Sequence, residues 1–204
     1  ESDTEVLLNL WIHEKENCLN QLNGFFAFCI YDQQEESLFL ARDRYGIKPL
    51  LYLSDEDKFI FASEMKSLLH YGIDKSLDYT ALATYFQLNY IPAPRTAFAV
   101  VKKLLPGHYI QVKRGDVRIH PYYTIPYPAP QPTATSYEQA QQLLFQKLEA
   151  SVQRRLVADV PLGAFLSGGI DSSVVTGLAA RHKPNLHTFS IGFRDQKFFD
   201  ETDY

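Results

Sequence analysis

Apolar residues recur at two spacings along this chain, and each change of spacing marks an element. Val6, Leu7, Leu10 and Trp11 share one helical face behind Ser2 and Glu5, a capping-box pair, so a helix is predicted through about residue 16. Short aromatic or β-branched runs follow at residues 25–31, 37–41 and 58–62, separated by polar turns at 32–36 and 54–57, and read as antiparallel strands. A helical pattern returns at 63–71, with Gly72 as its stop. Asp78 then caps a further helix carrying Leu82, Tyr85, Phe86 and Asn89 in register. Ile91-Pro92-Ala93-Pro94 breaks that helix, because proline lacks a backbone donor and restricts the residue before it. Residues 109–112 and 117–120 flank Lys113-Arg114-Gly115-Asp116 as a hairpin.

Prolines at 121, 126, 128, 130 and 132 form a stiff extended strap, so the interdomain connection is placed there: residues 1–120 before it, a linker at 121–135, and residues 136–204 after it. Beyond the strap, Ser136 and Gln139 make a second capping box. It opens a long helix in which Ala140, Leu144, Leu148, Val152 and Leu156 recur every four residues, a stripe expected to be core. A strand at 163–166, a glycine-rich loop, a helix at 171–182 and a strand at 187–193 complete the pattern. That order begins a parallel sheet with a right-handed crossover.

The loop between that strand and helix carries the most pointed chemistry. In Ser167-Gly168-Gly169-Ile170-Asp171-Ser172-Ser173 the glycines permit unusual backbone angles and let amides approach an anion without Cβ interference. The helix that follows adds its N-terminal amides and partial positive charge. Ser167, Ser172 and Ser173 offer hydroxyls to phosphate oxygens or to the helix as caps. A carboxylate beside a polyphosphate repels it, so Asp171 implies a bridging divalent cation, with Mg²⁺ the best fit to oxygen ligands and retained water. The loop is not a Walker A sequence, since no lysine follows its glycines. A glycine turn with capping serines is the plainer alternative. The nucleotide reading is preferred because seven residues and both flanking elements agree.

Composition narrows the class without identifying it. The 204 residues are 46% hydrophobic and 22% charged, with net charge -4, and so suit a soluble globular protein without a general pull on nucleic acid. Lys102-Lys103 and Arg154-Arg155 are too short to form basic patches. No apolar run has the length of a membrane span and no signal peptide is recognisable, so a cytoplasmic enzyme is expected. Cys18 and Cys29 have neither C-x-x-C spacing nor a histidine pair nearby, and read as small buried apolar residues. The sole methionine is Met65, and the chain is expected to be an internal piece of a longer protein.

Two resemblances sharpen this picture. The 167–173 loop resembles the pyrophosphate loop (PP-loop) of ATP pyrophosphatases, which attack the α-phosphate of ATP and release pyrophosphate. Ser2-Asp3-Thr4-Glu5, Asn23-Gly24-Phe25-Phe26-Ala27-Phe28 and the run Ala41-Arg42-Asp43-Arg44-Tyr45-Gly46-Ile47-Lys48-Pro49-Leu50 resemble the later part of class II glutamine amidotransferase domains. Their combination is similar to bacterial-type glutamine-hydrolysing asparagine synthetases, as are Tyr90 to Pro94, Leu104 to His108 and Asp159 to Gly163. The fold this implies is a partial α+β N-terminal-nucleophile glutaminase sandwich, followed by a partial α/β PP-loop ATP pyrophosphatase domain with a parallel sheet.

The resemblance implies small-molecule partners (ATP, aspartate and glutamine), with ATP and Mg²⁺ as cofactors, no nucleic acid and no membrane; a homodimer is a candidate assembly. Ser167, Gly168, Gly169, Ser172 and Ser173 would hold pyrophosphate, Asp171 the metal, and the backbone of Leu166 and Ile191 the adenine and ribose. Asp3 would bind the α-amino group of glutamine, or only help cap the first helix; the sequence leaves these level. The 42–50 run is assigned mainly to structure, with a smaller share in shaping a passage between active sites. Asn23-Gly24 reads as a turn. Asp200-Glu201 matches an acidic pair of the relatives, with a solvated surface pair equally open. The family's nucleophile is a cysteine at the mature N-terminus, a role the internal Cys18 does not fit. No catalytic residue is therefore expected in this segment, and the segment alone should be inactive. A β-lactam synthetase-like enzyme and a non-catalytic nucleotide-binding piece are the alternatives.

Overall fold

The computed structural model describes residues 2–127 and 135–192, which form two compact units, Glu1–Tyr127 and Pro128–Tyr204. Pro128, Pro130 and Pro132 of the strap, Phe193 and the Asp200-Glu201 pair lie outside the described residues.

The first unit opens with helix α1 (Asp3–Glu14), whose N-cap Ser2 accepts a hydrogen bond from the Glu5 amide. Trp11 is buried and Leu7 and Leu10 are half-buried, as their spacing predicts, but Val6 stands 59% exposed. A single 3-10 turn leads into α2 (Cys18–Gln21), which buries Cys18 and Leu19. One antiparallel sheet follows the order β1-β2-β6-β7, from β1 (Ala27–Asp32), β2 (Ser37–Arg42), β6 (His108–Lys113) and β7 (Asp116–Pro121). The second, β4-β3-β5, is built from β3 (Leu51–Ser54), β4 (Phe59–Ala62) and the two-residue β5 (Lys102–Lys103). Two short helices complete the unit, α3 (Met65–His70) and α4 (Tyr79–Leu88), the latter capped by Asp78, which accepts from the Ala81 amide.

Side-chain alternation stacks these elements in layers. On β2, Phe39 and Ala41 pack with Trp11, Cys18 and Leu19 on the helical side. The intervening Leu40 points the other way, joining Ile110, Leu104, Leu50 and Tyr52 between the two sheets. On β3, Leu51 and Leu53 face outward onto Leu68 of α3, Ile73 and Val101. The unit is thus helix, sheet, sheet, helix. Both cysteines are free; Cys18 is buried as its reading predicts, whereas Cys29 is only half-buried, and burial pushes the Cys29 thiol up to about 11.

The second unit consists of α5 (Tyr137–Arg155), β8 (Gly163–Phe165), α6 (Ile170–His182) and β9 (His187–Phe189), with β8 and β9 parallel. Both halves of the Ser136 and Gln139 capping box form. The apolar stripe of α5 is only partly core. Leu148, Val152 and Leu156 pack against Leu178, Ala179 and Leu186, whereas Ala140 is exposed and Leu144 is 59% exposed. The reason is length: among the described residues the apolar partners of α5 reach only its C-terminal half, so Leu143 and Leu144 stay exposed and Phe145 is covered only in part, by Arg181 over its ring. No described helix is long and apolar enough to cross a membrane.

Candidate functional site

In the second unit, β8 is held to β9 beyond its last paired residue: the Leu166 amide donates to the Phe189 carbonyl at 2.9 Å, and the Ser190 hydroxyl donates to the Leu166 carbonyl at 2.7 Å. Gly163 permits this close pairing, since a Cβ there would lie 2.5 Å from Phe189 Cε2 and 3.2 Å from the His187 carbonyl oxygen. The chain then turns through Gly168 at φ 76, a left-handed conformation that favours glycine. Gly169 is the N-cap of α6 and no side chain caps the helix. The serines instead bond one another. Ser172 Oγ donates to the Gly169 carbonyl at 3.0 Å and lies 3.1 Å from Ser167 Oγ, while the Ser173 amide donates to Gly169 O and its hydroxyl has no partner among the described residues.

The amides of Gly168, Gly169, Ile170, Asp171 and Ser172 consequently find no acceptor among the described residues. A row of unpaired donors at a helix start is what an anion with several oxygens satisfies. Asp171 is exposed in the first turn, and Arg181 and His182 occupy the last, so the carboxylate also complements the helix dipole. Among the described residues no group of three or more His, Cys, Asp or Glu could hold a metal. Asp171 would therefore give a cation one ligand, leaving phosphate oxygens and water to supply the rest. Ile191, 66% exposed, lies two residues past the end of β9, and Leu166 one past the end of β8. These neighbouring strands thus present both residues at the same edge of their sheet.

The first unit holds a separate cavity of about 650 Å³, whose lining includes Asp3, Asn23, Gly24, Phe25, Lys48 and Ser63. Asp3 is the first residue of α1 and leaves the cap to Ser2. Its Oδ1 accepts from the Thr4 amide at 2.8 Å and the Thr4 hydroxyl at 3.4 Å, and its Oδ2 has no partner among the described residues. One oxygen thus steadies the helix start while the other stays available at the cavity.

Beside it the 42–50 run forms a turn closed by its own side chains. Asp43, 1% exposed, accepts from the amides of Tyr45 and Ile47 on Oδ1 and of Lys48 on Oδ2, at 3.1, 3.0 and 2.9 Å. Arg42 donates to the carbonyls of Lys48, Leu104 and Gly46. Arg44 reaches the carbonyls of Leu22, Leu19 and Asn20 at the end of α2. The structural assignment of this run therefore has a specific basis. Sequence reasoning missed the roles of Ser190 on the Leu166 carbonyl, of Gly163 against Phe189, and of Gly107, whose amide donates to the Asp43 carbonyl, because these partners lie far along the chain. The sequence assigns Lys48 to the mainly structural 42–50 run without singling it out, although Lys48 lines the Asp3 cavity.

Comparison with known proteins gives two family matches: the glutamine amidotransferase domain over residues 1–123, and asparagine synthase over residues 143–204. The chain is 39% identical over 199 residues to asparagine synthetase [glutamine-hydrolyzing] 1 of Bacillus subtilis, covering 97% of this chain and 31% of that protein. It is 36% identical over 211 residues to the putative asparagine synthetase [glutamine-hydrolyzing] 2 of Methanocaldococcus jannaschii, covering 100% of this chain and 40% of the relative. The chain thus spans about a third of the length of the curated relatives it matches. A solved glutamine phosphoribosylpyrophosphate amidotransferase from B. subtilis aligns at a TM-score of 0.39 and 16% identity, covering 95% of this chain and 40% of that one, too loose a likeness to define an architecture.

Proposed function

Because this chain belongs to the glutamine amidotransferase family and runs on into an asparagine synthase segment, we propose that it is part of an enzyme making asparagine from aspartate and glutamine with ATP. Glutamine binds in the first unit, its α-amino group on the free oxygen of Asp3. Hydrolysis of its amide supplies ammonia. In the second unit the aspartate side-chain carboxylate attacks the α-phosphorus of ATP, giving β-aspartyl-AMP and releasing pyrophosphate. Ammonia then adds to the activated carbonyl and AMP leaves. A free carboxylate is a poor electrophile, and the mixed anhydride provides the leaving group it lacks.

The observation that carries this reading is the row of unpaired amides from Gly168 to Ser172. These groups suit the β- and γ-phosphates, and they need no reorganisation as charge gathers on departing pyrophosphate. The hydroxyls of Ser167, Ser172 and Ser173 would exchange their present contacts for phosphate oxygens. Asp171 would hold Mg²⁺, and the ion would supply charge neutralisation there. The backbone of Leu166 and Ile191 would receive adenine and ribose; the Leu166 amide is already engaged, so its part falls to the second lone pair of its carbonyl. The two units part between Tyr127 and Pro128, which supports a junction at 121–135.

The test is aspartate-dependent exchange of pyrophosphate into ATP by the intact synthetase. Asp171→Ala should abolish it while glutamine hydrolysis persists. Exchange at the parental rate would remove the metal-bridged mechanism.

A further inference from the structure

We propose that Glu149 is a positioning residue for the phosphate loop, acting through the axis of α6; this rests on the nucleotide reading of residues 167–173. Glu149 lies on α5, and its Oε1 meets both cationic side chains of the last turn of α6: Arg181 Nη1 at 3.3 Å, and His182 Nε2, which donates to it at 3.2 Å. The Arg181 guanidinium also lies over the Phe145 ring of α5, 5.4 Å from its centroid. One carboxylate therefore ties α5 to the end of α6 furthest from the loop.

The way α6 is held gives that tie its weight. The buried residues of α6, Thr176, Leu178 and Ala179, all fall in its later half, where Leu178 and Ala179 pack with Val152 of α5. In its earlier half Ile170, Asp171, Ser173, Val174 and Val175 are exposed. The 13 residues of α6 span about 20 Å, so the helix is a lever anchored at one end and carrying the open amides at the other. Apolar contact is non-directional: it holds α6 close to α5 without fixing its rotation. An ion pair and a hydrogen bond converging on a single oxygen supply the missing direction. The Glu149 side chain is only 25% exposed, so this contact is less screened than a pair standing free in solvent. A small rotation at the clamped end is carried along the rigid helix to the amides that would meet phosphate.

The experiment uses the intact synthetase and reads the KM for ATP and kcat in aspartate-dependent pyrophosphate exchange, with the thermal midpoint measured beside them. Glu149→Ala should raise the KM for ATP roughly tenfold, with a smaller change in kcat, and Glu149→Gln, which keeps an acceptor oxygen, should recover most of it. Arg181→Met should reproduce part of the rise and add little to Glu149→Ala in the double variant. Should Glu149→Ala not fold, Arg181→Met decides by the same constants. A lowered midpoint with a parental KM makes the clamp a matter of stability alone and overturns the role of Glu149; if Gly169→Ala still raises the KM, the nucleotide reading of the loop stands. A parental KM in Gly169→Ala as well overturns that reading, and the role of Glu149 with it.

Discussion

Asp43 and Asp171 each stand at a turn that follows a strand and contains glycine, yet their surroundings are opposites. Asp43 is buried and takes three amides from its own turn. Asp171 is exposed, and the amides around it have no acceptor among the described residues. A turn that satisfies its own donors is finished as structure. A turn that leaves them open keeps its binding capacity for something else. The same residue type therefore serves the fold in one unit and, on the proposed reading, a ligand in the other.

The largest expected break in this comparison comes from the aspartates themselves. Asp43→Ala leaves three turn amides without their acceptor and should lower stability by about 3 kcal/mol in a urea melt, whereas Asp171→Ala should change it by less than about 0.5 kcal/mol. Comparable losses at the two sites would erase the distinction. A pair of glycines sharpens it next. At Gly107, with φ +65, a Cβ would lie 2.5 Å from the Tyr123 carbonyl oxygen; at Gly169 it would meet only Ser167 Oγ at 3.6 Å and Ser172 Oγ at 3.9 Å. Gly107→Ala should therefore cost about 2 kcal/mol and leave ATP binding to the folded protein intact. Gly169→Ala should melt within about 1 kcal/mol of the parent while weakening ATP binding by calorimetry.

The smallest effect concerns pH. Tyr122 donates its hydroxyl to the Arg42 carbonyl at 2.8 Å, and burial pushes its pKa from 10.0 to about 12, with nearby Arg44 opposing and Asp43 adding to the rise. The protonated form is favoured in the folded state, so this contribution is complete below pH 10.0 and is lost as pH rises toward about 12. Tyr122→Phe should cost about 1 kcal/mol at neutral pH and flatten the alkaline fall in the thermal midpoint between those limits.

Much of the first unit was legible because its signals are local. Ser2, Asp78, the 113–116 hairpin turn and Gly72 all act where their neighbours predict. β3 was not anticipated, because Leu51, Tyr52 and Leu53 are all buried and the strand shows no alternation. The stripe on α5 misled in the other direction: periodicity marks an apolar face but does not say how far its covering elements extend. The sequence of the 167–173 loop marked its residues, though not that Ser167 and Ser172 bond each other rather than cap the helix. The closure around Asp43 was hidden because Leu104, Gly107 and Tyr122 reach it from 60 to 80 positions away.

That distance has a consequence for how the first unit comes apart. Gly107 donates to the Asp43 carbonyl and accepts from the amides of Tyr122 and Tyr123, while Tyr122 holds Arg42. Peeling β7 from the sheet edge would release the latch on Arg42 and, through Gly107, slacken the turn that carries Lys48. The edge strand and the cavity rim thus belong to a single cooperative unfolding block, and hydrogen exchange at both should report a common opening rather than separate fraying.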